Sequence, residues 1–157
     1  MHEIERKFRV DSQDWREHIE SSSSLRQGYL TPSTDLSVRV RIRDESATLN
    51  VKGPPEGITR PEFEYEIPLA DAEEMLDLCS GLKVVKTRHE LHHKGMLWEI
   101  DEFLEANQGL VVAEIELQNE DQDFARPSWL GREVTDDPRY LNVNLARHPY
   151  REWGDSD

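Results

Sequence analysis

Cysteine is almost absent from this 157-residue chain: Cys79 stands alone, so no internal disulfide framework holds the fold. It follows Met75, Leu76 and Leu78 at helical spacing, where a packed thiol is expected rather than a nucleophile. No apolar run approaches 18 residues and no signal-peptide architecture opens the chain, so the expected location is the cytosol and no membrane contact is expected. Positive charge is scarce: 19 Lys and Arg face 33 Asp and Glu, a net charge of −14 that argues against a nucleic-acid-binding surface. A phosphate loop of the Gly-x-x-x-x-Gly-Lys type, internal repeats and low-complexity domains are also missing. At this length one domain is expected over 1–157, with its core at about 3–148 and the last four residues fraying.

What the chain does contain is alternation. Strand-like patterning predicts β-strands at 3–10, 26–31, 37–43, 47–52, 62–67, 84–92, 96–103 and 110–118. Eight short strands suit a mainly β (α+β) fold, an eight-stranded antiparallel closed barrel with helices packed outside, which leaves no free edge. Asp11 or Ser12 is placed to cap a first helix through Ile19, with Trp15 and Ile19 on one face. Ala70–Cys79 reads as a second helix ended by Gly81. Ser21–Ser24 reads as a loop, Lys94-Gly95 as a hairpin turn and 53–57 as a longer connection. The segment 123–148 reads as short helices punctuated by Pro127, Pro138 and Pro149.

The polar faces of these strands sort by charge. Side chains two apart share a face, so Glu3, Glu5 and Lys7 lie together in Glu3-Ile4-Glu5-Arg6-Lys7. The arginines of Val38-Arg39-Val40-Arg41-Ile42-Arg43 do the same, and so do the carboxylates of Glu62-Phe63-Glu64. Lys52, Lys86 with Arg88, Glu99 with Asp101, and Glu114 with Glu116 complete the set. A sheet with one solvated face is the ordinary explanation for any single strand. Surface strands, however, mix signs. Closing the barrel with the apolar faces outward places eight acidic groups (Glu3, Glu5, Glu62, Glu64, Glu99, Asp101, Glu114, Glu116) in one lumen with seven basic ones (Lys7, Arg39, Arg41, Arg43, Lys52, Lys86, Arg88). Buried charges must be paired or bind ions. Carboxylates in excess beside a cation cluster suit a divalent metal such as Mg²⁺ together with a polyanion.

In these motifs and their order the chain resembles the CYTH superfamily, the triphosphate tunnel metalloenzymes. The resemblance rests on Glu3-Ile4-Glu5-Arg6-Lys7, Val38-Arg39-Val40-Arg41, Lys52-Gly53, Glu62 and Glu64, Lys86-Thr87-Arg88, Trp98-Glu99-Ile100-Asp101 and Glu114-Ile115-Glu116, and spans 3–148. The length and the segment from Pro127 to Thr135 are most similar to the small bacterial members that hydrolyse inorganic tripolyphosphate. The resemblance implies a tunnel binding a linear triphosphate, with Mg²⁺ or Mn²⁺ on Glu3, Glu5, Glu64, Asp101, Glu114 and Glu116. It implies phosphate contacts from Lys7, Arg39, Arg41, Lys52, Lys86 and Arg88, and a catalytic tyrosine, Tyr29, for which Lys52 is the expected partner. A homodimer is expected by the same analogy. The chain departs from several family members in having no lysine after Lys94; Arg147 or Arg151 would have to take that place.

Rival readings are a class IV adenylate cyclase-like enzyme, a thiamine or nucleoside triphosphatase, and a non-catalytic polyphosphate or nucleotide sensor. No base-stacking motif supports the cyclase, and pure anion binding would not need so many acids. His89-Glu90-Leu91-His92-His93 fits the His-Glu-x-x-His zinc pattern, but that chemistry needs a helix. The preceding Val84-Val85-Lys86-Thr87-Arg88 reads as a strand instead.

Overall fold

A computed structural model describes residues 2–154; of the last four residues, expected to fray, those from 155 onward lie outside the described residues. Among these residues the alternating segments form eight strands: β1 (His2–Arg9), β2 (Ser21–Pro32), β3 (Ser37–Arg43), β4 (Ser46–Lys52), β5 (Thr59–Glu66), β6 (Lys83–His93), β7 (Met96–Phe103) and β8 (Val111–Glu116). They close into a barrel in the order β1-β5-β4-β3-β2-β6-β7-β8, every neighbouring pair antiparallel. Closure runs through β1, which pairs Glu3 with Arg60 of β5 and Glu5 with Glu116 of β8. The Lys94-Gly95 turn joins β6 to β7 with both residues at positive φ, 51° and 82°, as a type I′ hairpin requires.

Three expectations are corrected. Ser21–Ser24 is the first third of β2, in register with Glu90, His89, Arg88 and Thr87 of β6. Serine carries little strand signal of its own, and here the β6 ladder supplies the backbone partners. The first helix is only a 3-10 turn, Asp14–His18. Ser12 Oγ accepts from Asp14 N and the Trp15 indole donates to Ser12 O, tightening the segment before the chain enters β2. The second helix, α1 (Leu69–Leu78), forms as expected, with Gly81 at φ 78° just beyond it. Of the expected C-terminal helices, 123–137 is irregular. A 3-10 turn (Pro138–Tyr140), the short α2 (Asn142–Arg147) and a second turn (Tyr150–Glu152) follow.

The outward apolar faces supply two cores. Phe8, Trp98, Ile100, Ala113 and Ile115 pack under Trp15 and Trp129 on one side. On another, Val40, Ile42 and Ala47 pack under Ala72, Leu76 and Cys79 of the α1 region. The third cluster joins Tyr29, Val84, Phe103 and Val112 to Tyr140, Val143, Leu145 and Ala146. Tyr29, Val84, Phe103 and Val112 share strand parity with the charged residues, so the C-terminal segment packs into that end of the barrel. None of the described helices is long and apolar enough to cross a membrane.

Cys79 is a buried packed thiol that donates to Met75 O, and burial raises its pKa. It seats α1 against Gly28, where an added Cβ would stand 2.7 Å from Cys79 Cβ and 2.9 Å from its Sγ. Gly28→Ala should therefore cost about 1–3 kcal/mol of stability by overpacking. An unchanged denaturation midpoint would show that α1 is not held at this contact.

Candidate active site in the barrel lumen

Because the charged face of each strand points inward, the barrel encloses a cavity of about 450 Å³ to which all eight strands contribute. Of the residues expected at the site, Glu3, Glu5, Lys7, Tyr29, Arg39, Arg41, Lys52, Glu64, Lys86, Arg88, Glu114 and Glu116 line it. Asp101 lies behind the wall, 1% exposed, as the anchor of a charge network. Its Oδ1 accepts from Arg88 Nε at 2.7 Å, while its Oδ2 accepts from Arg88 Nη2 at 2.8 Å and Lys86 Nζ at 2.7 Å. Arg88 reaches on to Glu99 at 3.2 Å and Glu114 at 3.1 Å. Burial opposes the charge on Asp101, but Arg88 and Lys86 outweigh it and hold the carboxyl far below its ordinary range. Burial, reinforced by Arg88 and Arg41, pushes Lys86 down to about 7 in spite of Asp101.

Other lysines act as internal counter-ions. Lys7 Nζ stands 3.7 Å from Glu5 and 3.6 Å from Glu114, and these carboxylates raise its pKa against the effect of burial. Lys52 Nζ bonds Glu3 at 3.1 Å and stands 3.3 Å from Glu62. Burial works against the Glu3 charge, yet Lys52, Arg39 and Lys7 bring its pKa to about 2. The expected Tyr29–Lys52 pair is not formed: Lys52 is engaged by these two carboxylates, while Tyr29 packs in the apolar cluster at the barrel end.

The guanidinium groups on β3 are different. Among the described residues neither Arg39 nor Arg41 forms an ion pair. Arg39 is 5% exposed and its buried Nε has no hydrogen-bond partner. Arg41 Nε donates to Gln27 Oε1 at 3.0 Å. Burial, then Arg39 and Arg88, bring the Arg41 pKa down to about 9. A buried and a half-buried guanidinium side by side, neither with a carboxylate, call for an anion.

The acids on the adjoining wall are crowded in turn. Burial, then Glu114 and Glu3, push Glu5 up to about 7. Burial, then Glu3 and Glu62, raise Glu116. Such mutual repulsion among oxygen donors suits a hard divalent cation. As the side chains stand, no three acidic, His or Cys groups among the described residues are gathered tightly enough to hold a metal ion. Glu64 is exposed at the wall and accepts from Asn50 Nδ2 at 2.8 Å.

Sequence reasoning overlooked Gln27, Asn50, Asn142 and Arg60. Asn142 Oδ1 accepts from Lys86 Nζ at 3.0 Å, and Arg60 lines the cavity while bonding Gly53 O at 2.8 Å. Strand parity with Tyr29 and Lys52 was the signal for Gln27 and Asn50; no local pattern marks Asn142. Arg147 and Arg151 are exposed and do not line the cavity. His89 and His93 sit on a strand, four residues and about 13 Å apart. His89 contacts Ser22 and Glu102 rather than a metal site.

The CYTH domain family profile matches residues 1–150. An inorganic triphosphatase of Acetivibrio thermocellus is 48% identical over 152 residues, covering 96% of this chain and 97% of its own length. One from Nitrosomonas europaea is 39% identical over 154 residues, covering 93% and 97%. A crystal structure of an inorganic triphosphatase superposes with a TM-score of 0.68 at 34% identity, over 92% of this chain and 94% of that one. A Hippeastrum protein, at 15% identity and a TM-score of 0.58 over 74% and 80% of the two chains, shares the fold.

Glu5 links this crowding to stability. Its folded pKa of about 7 exceeds the ordinary 4.5, so the folded state holds a proton that the unfolded state has lost. Stability from this group is therefore lost as pH rises from 4.5 to 7. In metal-free buffer above pH 7, Glu5→Gln should be more stable than the parent by on the order of 3 kcal/mol. The two should converge below pH 4.5. Parallel stability curves across that range would contradict the crowding.

Proposed function

The chain belongs to the CYTH domain family, and from that premise we propose that it hydrolyses inorganic triphosphate to pyrophosphate and phosphate inside the barrel. The observation that carries this reading is the adjacent pair of buried Arg39 and half-buried Arg41, without carboxylate partners, in one cavity with crowded acids. A linear triphosphate supplies the missing negative charge. Arg39 and Arg41 bind its oxygens in the planar fork geometry that guanidinium favours. Lys86 and Arg88, fixed from behind by Asp101, present a second cationic rim to the same cavity. Asp101 thus serves to position cations, and Lys52 balances Glu3 and Glu62.

Glu3, Glu5, Glu114 and Glu116 are the residues that would hold Mg²⁺ or Mn²⁺, with Glu64 beside them; their oxygen donors and excess charge fit such an ion. A bound divalent ion supplies Lewis-acid polarisation of the phosphoryl oxygens and lowers the pKa of water. Water attacks the terminal phosphorus in line as the bridging P–O bond breaks, and the electron pair leaves with pyrophosphate. The proton released from water leaves on the phosphate products, and Lys86, hydrogen-bonded to Asp101 and Asn142, acts in its protonated form as a phosphate contact.

Release of phosphate from tripolyphosphate should require Mg²⁺ or Mn²⁺. Glu116→Ala, on the exposed end of β8, should abolish it while the circular-dichroism spectrum stays that of the parent; full activity in that variant would remove the metal assignment. Arg41→Ala should raise KM about 10–100-fold through loss of charge-assisted contacts. The parent rate should climb as pH passes about 7, where Glu5 loses its proton and becomes available as an ionised oxygen donor. A rate that falls over that interval would argue against ionised Glu5 as a metal donor.

A further inference from the structure

Gln27 is completely buried on β2, directly across the ladder from Arg41 of β3, and its Oε1 accepts from Arg41 Nε at 3.0 Å. We propose that Gln27 is a positioning residue for triphosphate binding: an uncharged bracket that orients the Arg41 guanidinium while leaving its full charge to the substrate. The inference rests on the triphosphatase reading and adds to it a residue that does not itself line the cavity.

Three observations carry it. First, Arg88 and the three lumen lysines are held by carboxylates: Lys86 and Arg88 by Asp101, Lys52 by Glu3, and Lys7 beside Glu5 and Glu114. Each of those bonds neutralises part of the charge it positions. The amide at Arg41 fixes direction without neutralising anything. Guanidinium has no acceptor, so only the carbonyl end of Gln27 can face it.

Second, the contact occupies Nε, and Arg41 itself lines the cavity. The terminal guanidinium nitrogens are thus left for the paired contact that phosphate oxygens accept.

Third, Gln27 is a poor choice for packing alone. Its Nε2 is buried without a hydrogen-bond partner. A buried donor left unmade is destabilising, and an apolar side chain of like size would avoid that cost. The amide is explained by what its oxygen does for Arg41. Burial beside Arg39 and Arg88 already lowers the Arg41 pKa, so a carboxylate here would relieve the strain that favours an incoming anion.

The test compares Gln27→Glu and Gln27→Met in the full chain. Tripolyphosphate affinity is read by titration calorimetry with chelator present, and KM and kcat with metal. Gln27→Glu keeps the size and the bond to Arg41 but adds a neutralising charge. It should weaken affinity and raise KM by about tenfold or more, with a smaller change in kcat. Gln27→Met frees the guanidinium and should weaken binding by a lesser factor, about three- to tenfold. A merely structural role predicts the opposite order, with glutamate restoring what methionine loses, and that order would overturn the inference. If Gln27→Glu fails to fold, parental affinity in Gln27→Met would overturn it alone. A parent that binds tripolyphosphate without hydrolysing it would remove the catalytic reading while the variant affinities still decide the role of Gln27. A parent that neither binds nor hydrolyses it would overturn both.

Discussion

Ionised side chains enclosed by a barrel wall cannot rely on water for solvation, and the lumen is organised around that constraint. Asp101 is its centre. Three short hydrogen bonds from Lys86 and Arg88 end on one carboxylate that is itself 1% exposed. They fix two cations on the cavity wall and, through Arg88, orient Glu99 and Glu114 on the neighbouring strands. Removing one partner would leave the others as uncompensated buried charges, so the network holds together as a unit.

Pairing is incomplete by design of the topology. Strand order places β3, with Arg39 and Arg41, away from the carboxylates of β1, β7 and β8, which neighbour one another. Arg39 and Arg41 therefore stand together without carboxylate partners, while Glu5 is crowded by Glu114 and Glu3, and Glu116 by Glu3 and Glu62. Each group is held in unfavourable company by the cores outside: Val40 and Ile42 clamp β3 under the α1 region, while Phe8, Ile100 and Ile115 clamp β1, β7 and β8 under Trp15 and Trp129. Apolar burial on the outside thus opposes like-charge repulsion on the inside. The cavity that results is matched by a polyanion and a divalent cation together.

Much of this was legible in the sequence. Period-two alternation marks all eight strands, and the sorting of charge by strand marks the lumen face. The failures are instructive because they occur where local pattern carries no information. Ser21–Ser24 looks like a loop, yet it becomes strand when β6 offers it a ladder. Lys52 is the expected partner of Tyr29, but the β4–β5 register sets Glu62 directly opposite it and the β1–β5 pairing brings Glu3 alongside. Asp101 read as one more carboxylate of the acidic set. Its parity was right, but only the β6–β7 register, with Arg88 opposite Asp101, makes it the counter-ion of two cations.

By itself, then, the sequence determined which residues face inward and what charge each strand carries, because side-chain direction on a strand follows from backbone geometry alone. Tertiary structure decided which inward charges meet. That choice depends on strand order, register and closure, which are set by contacts between segments far apart in the chain. Arg39 and Arg41 are left without carboxylates, Glu5 is crowded by Glu114 and Glu3, and Gln27 stands behind Arg41 for that reason.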